Sequence, residues 1–415
     1  MKARPVVADM DSIEAIAPQI TQFCHTAKIS GLRDPGTLVW EMITADFPLP
    51  DPNSQFWWRT TGFTLAILLQ KAGYAIESQC RNLLFYFFYV VPELGAGPNA
   101  EGQPPHWKSF MTDDFTPIEL SWSWGCGSEA PMVRFSIEPI GPCAGTSADP
   151  LNEHATTRLI RRFQHVLPDT DLTWFDHFSK ELLTYSRHST EPDRISRFEG
   201  HESRTFIAFD LDENGIVLKA YFLPAFKAAE TGQSNLAVIS QAIKNLPNQQ
   251  GSSFYGYNIL LDYMKTSVEG SQLEVEMLGI DCTAPTKSRL KIYLRSRSTC
   301  FNSVRATMAL GGRLKDPGLE KGFEELRKLW TLVLGKDEQF APAEDLQRKD
   351  HRTAGILYYF EIRPGQAAPV PKVYIPVRHY APNDLDIAHG LRTYLKSRRQ
   401  GSVAGRYMQA LKSIL

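Results

Sequence analysis

Ser288-Arg289-Leu290-Lys291-Ile292-Tyr293-Leu294-Arg295 alternates charged or phenolic residues with aliphatic ones. Side chains at i and i+2 of a β-strand point to the same face. Arg289, Lys291 and Tyr293 therefore share one side of a strand, and Leu290, Ile292 and Leu294 the other. The Lys-x-Tyr core of this stretch recurs in Lys219-Ala220-Tyr221 and Lys372-Val373-Tyr374, and a matching strand nearer the N-terminus offers Arg134. Each residue between Lys and Tyr is aliphatic or small, as expected of a side that packs against other elements.

Outward from this stretch, the chain repeats one order: two helical segments, then two alternating strands. The units span about 55–140, 150–224, 234–295 and 301–380, and an incomplete fifth, 382–415, holds two helices. Predicted strands are 117–124 and 132–140, 204–211 and 216–223, 272–280 and 288–295, 353–362 and 372–378. Gly73 and Pro92 stop the first two helices. Asp171 is placed to cap a helix whose apolar residues Leu172, Phe175, Phe178 and Leu182 recur at helical spacing. Four successive occurrences of one order mark a repeat. Hairpin-joined strands pair antiparallel, and helix pairs between hairpins cover one face of the sheet. Closing such a sheet gives an α+β barrel ringed by helices, with a strand face turned to the lumen. Residues 1–415 are read as one domain with a helical extension over 1–50.

On such a face several cations and three phenols converge. Lys and Arg are rarely buried without a partner, so an anion is expected among them. A diphosphate fits, with Arg134, Lys219, Arg289, Lys291 and Lys372 as its ligands. The faces of Tyr221, Tyr293 and Tyr374 could shield an allylic cation by cation–π attraction. A single Lys-x-Tyr strand would describe a solvated edge; three at equivalent places in a repeat favour the lumen. Glu119 shares a strand face with Ser121 and Ser123. There it could accept a hydrogen bond from an indole N–H or a phenol O–H, and an exposed strand glutamate is the competing description.

With a net charge of −1 over 415 residues, no global field favours nucleic acid or an acidic membrane. The six cysteines form no CxxC pair and read as free thiols of a reducing compartment. The first residues lack a signal-peptide run, and the expected location is the cytosol. Gly125–Ala130 follows a strand like a dinucleotide loop, but Pro131 and another strand follow it instead of a helix. No P-loop, HExxH, zinc-spaced Cys/His cluster or nucleophile elbow occurs. Asp113-Asp114 is not followed by the carboxylates of an Asp-rich magnesium-diphosphate motif.

The segments Thr116–Ser121 (TPIELS), Asp281–Tyr293 (DCTAPTKSRLKIY), Ser303–Arg313 (SVRATMALGGR) and Lys372–Tyr380 (KVYIPVRHY) resemble the fungal dimethylallyl tryptophan synthase family of indole and aromatic prenyltransferases. The resemblance runs from about Phe56 to the C-terminus. It implies the ABBA barrel of ten antiparallel strands, and metal-independent Friedel–Crafts alkylation with dimethylallyl diphosphate and no cofactor. By this resemblance Glu119 binds the acceptor N–H, with Met111 lining the acceptor. Arg134, Lys219, Tyr221, Arg289, Lys291, Tyr293 and Tyr374 fall at diphosphate or shield positions, and Leu357 at the place that limits prenyl length. The expected partners are small-molecule substrates, with neither nucleic acid nor membrane, for a monomer or homodimer. A non-catalytic barrel binding isoprenoids or aromatic ligands is the alternative. Three departures stand out. Lys372 replaces a common Gln. The strand before Lys219 lacks the lysine of tryptophan-specific members, which favours a larger acceptor such as a cyclic dipeptide or another indole or phenol. The chain ends at Leu415, before a final strand pair that would carry more tyrosines.

Overall fold

The computed structural model describes residues 10–29, 35–99, 101–103, 105–125, 130–184, 201–212, 215–247, 254–337 and 339–415. The chain divides into two compact units. One comprises Met1–Thr170, Ser196–Lys219 and Gln409–Leu415, the other Asp171–Ile195 and Ala220–Met408. Eight strands occur among the described residues: β1 (Ile118–Ser123), β2 (Met132–Ile137), β3 (Thr205–Asp212), β4 (Gly215–Phe222), β5 (Glu274–Asp281), β6 (Leu290–Ser296), β7 (Ile356–Ile362) and β8 (Val370–Tyr374). Their order in the sheet is their order in the chain. The pairs β1–β2, β2–β3, β5–β6, β6–β7 and β7–β8 are antiparallel.

In the first unit the helices Phe63–Ala72 and Ile76–Phe85 precede β1. The former ends at Gly73, whose φ of 91° is the left-handed conformation that glycine adopts without a Cβ clash. Helical periodicity does not reveal that each long helical stretch contains a π-helical turn, Trp58–Gly62 and Tyr86–Val90. These two turns meet through a 2.6 Å hydrogen bond between Thr61 Oγ1 and the Tyr86 hydroxyl. Helix Glu153–Val166 buries Ala155, Leu159, Ile160 and Phe163 along one stripe. Phe163 meets Phe209 of β3 at 5.2 Å, and Phe209 meets Phe135 of β2 at 4.8 Å. Burying each such ring is worth about 1.5–3 kcal/mol. This core takes the odd-numbered residues of β2 and β3. The even-numbered ones, Arg134, Ser136, Ala208 and Asp210, face away from it.

The second unit repeats the logic. Helix Thr173–Leu182 buries Trp174, Phe175, Phe178 and Leu182, with Phe175 against Phe222 at 5.8 Å. Asp171 accepts a 2.8 Å hydrogen bond from the Thr173 amide, although the capping residue itself is Leu172. On β7, Ile356, Tyr358, Phe360 and Ile362 are buried, whereas Leu357, Tyr359 and Glu361 are half-buried. Two segments differ from the sequence expectation. A helix over Ala225–Thr231 follows β4. The last strand ends at Tyr374 rather than at 378, because the chain turns helical at Val377–Tyr380. Two helices, Asp384–Ser397 and Gly401–Ile414, close the described chain. No helix of the described residues is long and apolar enough to cross a membrane.

Candidate active site

In the first unit, antiparallel register lays out the face opposite the core. Glu119 lies across from Ser136, which lies across from Ala208; Ser121 lies across from Arg134, which lies across from Asp210. Asp210 is the hub of the second row. Arg134 Nε is 3.1 Å from Asp210 Oδ1, and Lys219 Nζ ion-pairs with Asp210 Oδ2. Lys219 is 4% exposed, so this pairing offsets the cost of burying its charge.

Glu119 is different. Its side chain is exposed, yet desolvation raises its carboxyl above the ordinary glutamate range. Among the described residues no hydrogen bond or ion pair engages it. Nearby, Glu138 is fully buried and fully engaged. It accepts from Trp107 Nε1 at 2.9 Å and from the hydroxyls of Ser109 and Ser203, both at 2.6 Å. Burial pushes its pKa up, and those three donors and His201 oppose the shift. Met111 is buried, on the segment that also carries Trp107 and Ser109.

In the second unit, β5–β8 form a graded face. One row pairs Gly279 with Lys291 and Lys291 with Glu361. The next pairs Met277 with Tyr293, Tyr293 with Tyr359 and Tyr359 with Lys372. A third pairs Arg295 with Leu357 and Leu357 with Tyr374. At the first level Arg289 donates to Asp281 and to Glu361, both at 2.6 Å, and Lys291 Nζ lies 3.2 Å from Asp281. Arg363 joins Glu361 at 2.9 Å. Burial lowers the Arg289 pKa, but Asp281 and Glu361 more than offset it, so the net shift is upward. The guanidinium stays charged.

Beyond this level four phenols cluster. Tyr293 lies 5.9 Å from Tyr221, 5.1 Å from Tyr359 and 6.3 Å from Tyr374, ring centre to ring centre. Burial first, then the neighbouring phenols, holds the Tyr293 hydroxyl well above its usual pKa, so the group is neutral. Gly279 makes room for this cluster: a Cβ there would stand 2.9 Å from the Tyr221 ring.

Two features escaped the sequence reading. The cations are not an unneutralised cluster awaiting an external anion, because Asp210, Asp281 and Glu361 already pair with them. These carboxylates lie on the strands next to the Lys-x-Tyr strands. Tyr359 was also missed, although Leu357-x-Tyr359-x-Glu361 carries the same period-two signal. Lys372 does not align with Lys291. Strand stagger places it beside Tyr359, where its exposed ammonium lies 5.5 Å from the Tyr359 ring and 5.2 Å from that of Tyr374. Leu357 shares the half-buried face of β7 with Tyr359.

Known proteins resemble this chain in sequence and in fold. Residues 53–410 match the family described as tryptophan dimethylallyltransferase. The chain is 39% identical over 347 residues to a 4-O-dimethylallyl-L-tyrosine synthase of Claviceps purpurea, covering 83% of this chain and 77% of that one. It is 37% identical over 369 residues to a 7-dimethylallyltryptophan synthase of Aspergillus fumigatus, covering 86% and 77%. The solved structure of AnaPT from Neosartorya fischeri superposes with a TM-score of 0.76 at 26% identity, covering 90% of this chain and 88% of that one. The fold is therefore the α+β ABBA arrangement of ααββ units, and the chain belongs to the tryptophan dimethylallyltransferase family of aromatic prenyltransferases.

Proposed function

We propose that the protein transfers a dimethylallyl group from dimethylallyl diphosphate to an electron-rich indole or phenol, without a metal ion. The observation that carries this reading is the second unit's face, where a cluster of four phenols around Tyr293 lies beside Arg289 and Lys291. Two chemistries adjoin there, and an allylic diphosphate has the same two ends.

Arg289 and Lys291 bind the diphosphate and stabilise its charge as the allylic C–O bond breaks and the leaving group takes the electron pair. Asp281 orients these cations in advance. The faces of Tyr221, Tyr293, Tyr359 and Tyr374 stabilise the allylic cation and exclude water that would capture it. Glu119 accepts the acceptor's N–H or O–H hydrogen bond, which orients the ring and raises its electron density. The ring attacks the cation, the new bond forms, and the ring proton is lost to solvent. Leu357, beside the phenols, limits the length of the prenyl chain. The protein's own Trp107–Glu138 bond illustrates an indole N–H held by a carboxylate.

The acceptor class follows from the same chemistry. The relatives above are named for tyrosine and for tryptophan, and both side chains carry the donor that Glu119 would accept. No lysine lies on β3, so a tryptophan-containing cyclic dipeptide belongs in the acceptor panel beside the free amino acids. The test is incubation with dimethylallyl diphosphate and these acceptors in EDTA, followed by mass spectrometry. The expected result is a product heavier by one dimethylallyl unit. A folded protein that gives no product with any acceptor would overturn the proposal.

A further inference from the structure

The first unit holds a buried polar knot that the proposed reaction does not use, and it surrounds the segment carrying Met111. Its centre is Glu138, 2% exposed, with Ser109 at 0%, Ser203 at 1% and Trp107 at 3%. Each hydroxyl that donates to the carboxylate also accepts a backbone amide. Ser203 Oγ accepts from Phe110 N at 2.9 Å, and Ser109 Oγ accepts from Met111 N at 3.3 Å. The Phe110 ring is held between His201, at 5.0 Å, and Phe206, at 5.8 Å. Glu138's own amide donates to the carbonyl of Pro117 at 2.9 Å, two residues before Glu119. One residue thus ties together 107–111, the start of β1 and the approach to β3.

A buried carboxylate is a costly way to fill a core, and apolar residues would fill the same volume more cheaply. What it provides is direction. Three donors from two separate chain segments converge on two oxygens, which fixes the backbone of Phe110 and Met111 relative to β1. We infer that Glu138 is a positioning residue that sets the distance between Met111 and Glu119, and so determines which atom of the acceptor ring faces the allylic cation. The inference rests on the acceptor role given above to Glu119 and Met111.

Glu138 touches no substrate, so its effect reaches the reaction only through placement. A displacement of the 107–111 backbone shifts the acceptor relative to the donor and changes which ring atom reacts, because the competing positions are only bond lengths apart. Binding of the diphosphate does not involve this knot.

The experiment compares wild type, Glu138→Gln and Ser109→Ala for acceptor KM, donor KM, ratio of positional product isomers and thermal midpoint. Glu138→Gln keeps the shape and replaces one acceptor oxygen by a donor. It is expected to raise acceptor KM about tenfold, equivalent to one net hydrogen bond, with donor KM within about twofold and a second isomer appearing. Ser109→Ala is expected to move the same quantities in the same direction by less. If both variants lower the thermal midpoint while acceptor KM and isomer ratio stay at wild-type values, the knot only stabilises the fold and the inference is overturned. Should Glu138→Gln fail to fold, Ser109→Ala decides alone, and an unchanged isomer ratio there overturns it. Wild-type protein that gives no product at all sinks the reading on which the inference rests.

Discussion

Glu119 in the first unit and Lys291 in the second are both assigned to ligands, but the chain sets them in opposite ways. Lys291 is 4% exposed and already held by Asp281. Glu119 is exposed, desolvated and unengaged among the described residues. A donor with a fixed diphosphate end suits a prebuilt charge network whose reorganisation cost is met on folding. An acceptor whose ring must turn to meet a short-lived cation suits a single open hydrogen-bond acceptor. The difference predicts that the two residues control different kinetic constants.

Lys291→Ala is expected to have the largest effect. It removes a ligand and leaves Asp281 with one partner fewer, for a loss of about 3 kcal/mol or roughly 150-fold in kcat/KM, mostly as a higher donor KM. Steady-state kinetics with the diphosphate varied would show it. Glu119→Ala should lower turnover with indole acceptors about 100-fold while donor KM holds. The wild-type profile adds a sign. Glu119 must be ionised to accept the N–H, and desolvation raises its pKa. Activity should therefore fall on acidification at a pH above the ordinary glutamate value, and that acid limb should vanish in Glu119→Gln.

Tyr359→Leu is expected to cost about tenfold in turnover by removing one face of the shield, with Tyr359→Phe close to wild type. Equal losses in the two variants would mean that the hydroxyl matters and the ring face does not. Leu357→Gly should have the smallest effect on the native donor and shift preference toward a longer prenyl diphosphate by about tenfold. Competition between five- and ten-carbon donors measures it.

The sequence made the repeat legible because β1, β2 and β6 alternate polar with apolar residues, and the β1–β2, β3–β4 and β7–β8 connections carry Gly, Pro or Asp. It also put Arg289, Lys291 and Tyr293 on one face, since period two needs no knowledge of neighbours. What lay beyond reach depended on register. The pairing of Asp281 with both Arg289 and Lys291 joins adjacent strands. So does the offset that carries Lys372 from the level of Lys291 to that of Tyr359. Glu138 was hidden for a similar reason: its partners at 107, 109 and 203 are spread along the chain and meet only in the fold. The π-helical turns at Trp58–Gly62 and Tyr86–Val90 leave the helical apolar pattern almost unchanged, so composition alone gives no sign of them.

Equilibrium binding of a non-ionising donor analogue, dimethylallyl S-thiolodiphosphate, tests this division of labour most directly. Titrations of wild type, Lys291→Ala and Glu119→Ala in EDTA, without acceptor, isolate the donor site from the chemistry. Lys291→Ala should weaken binding by about two orders of magnitude, and Glu119→Ala should leave it at the wild-type value. Equal weakening by both substitutions would contradict the separation of acceptor and donor roles.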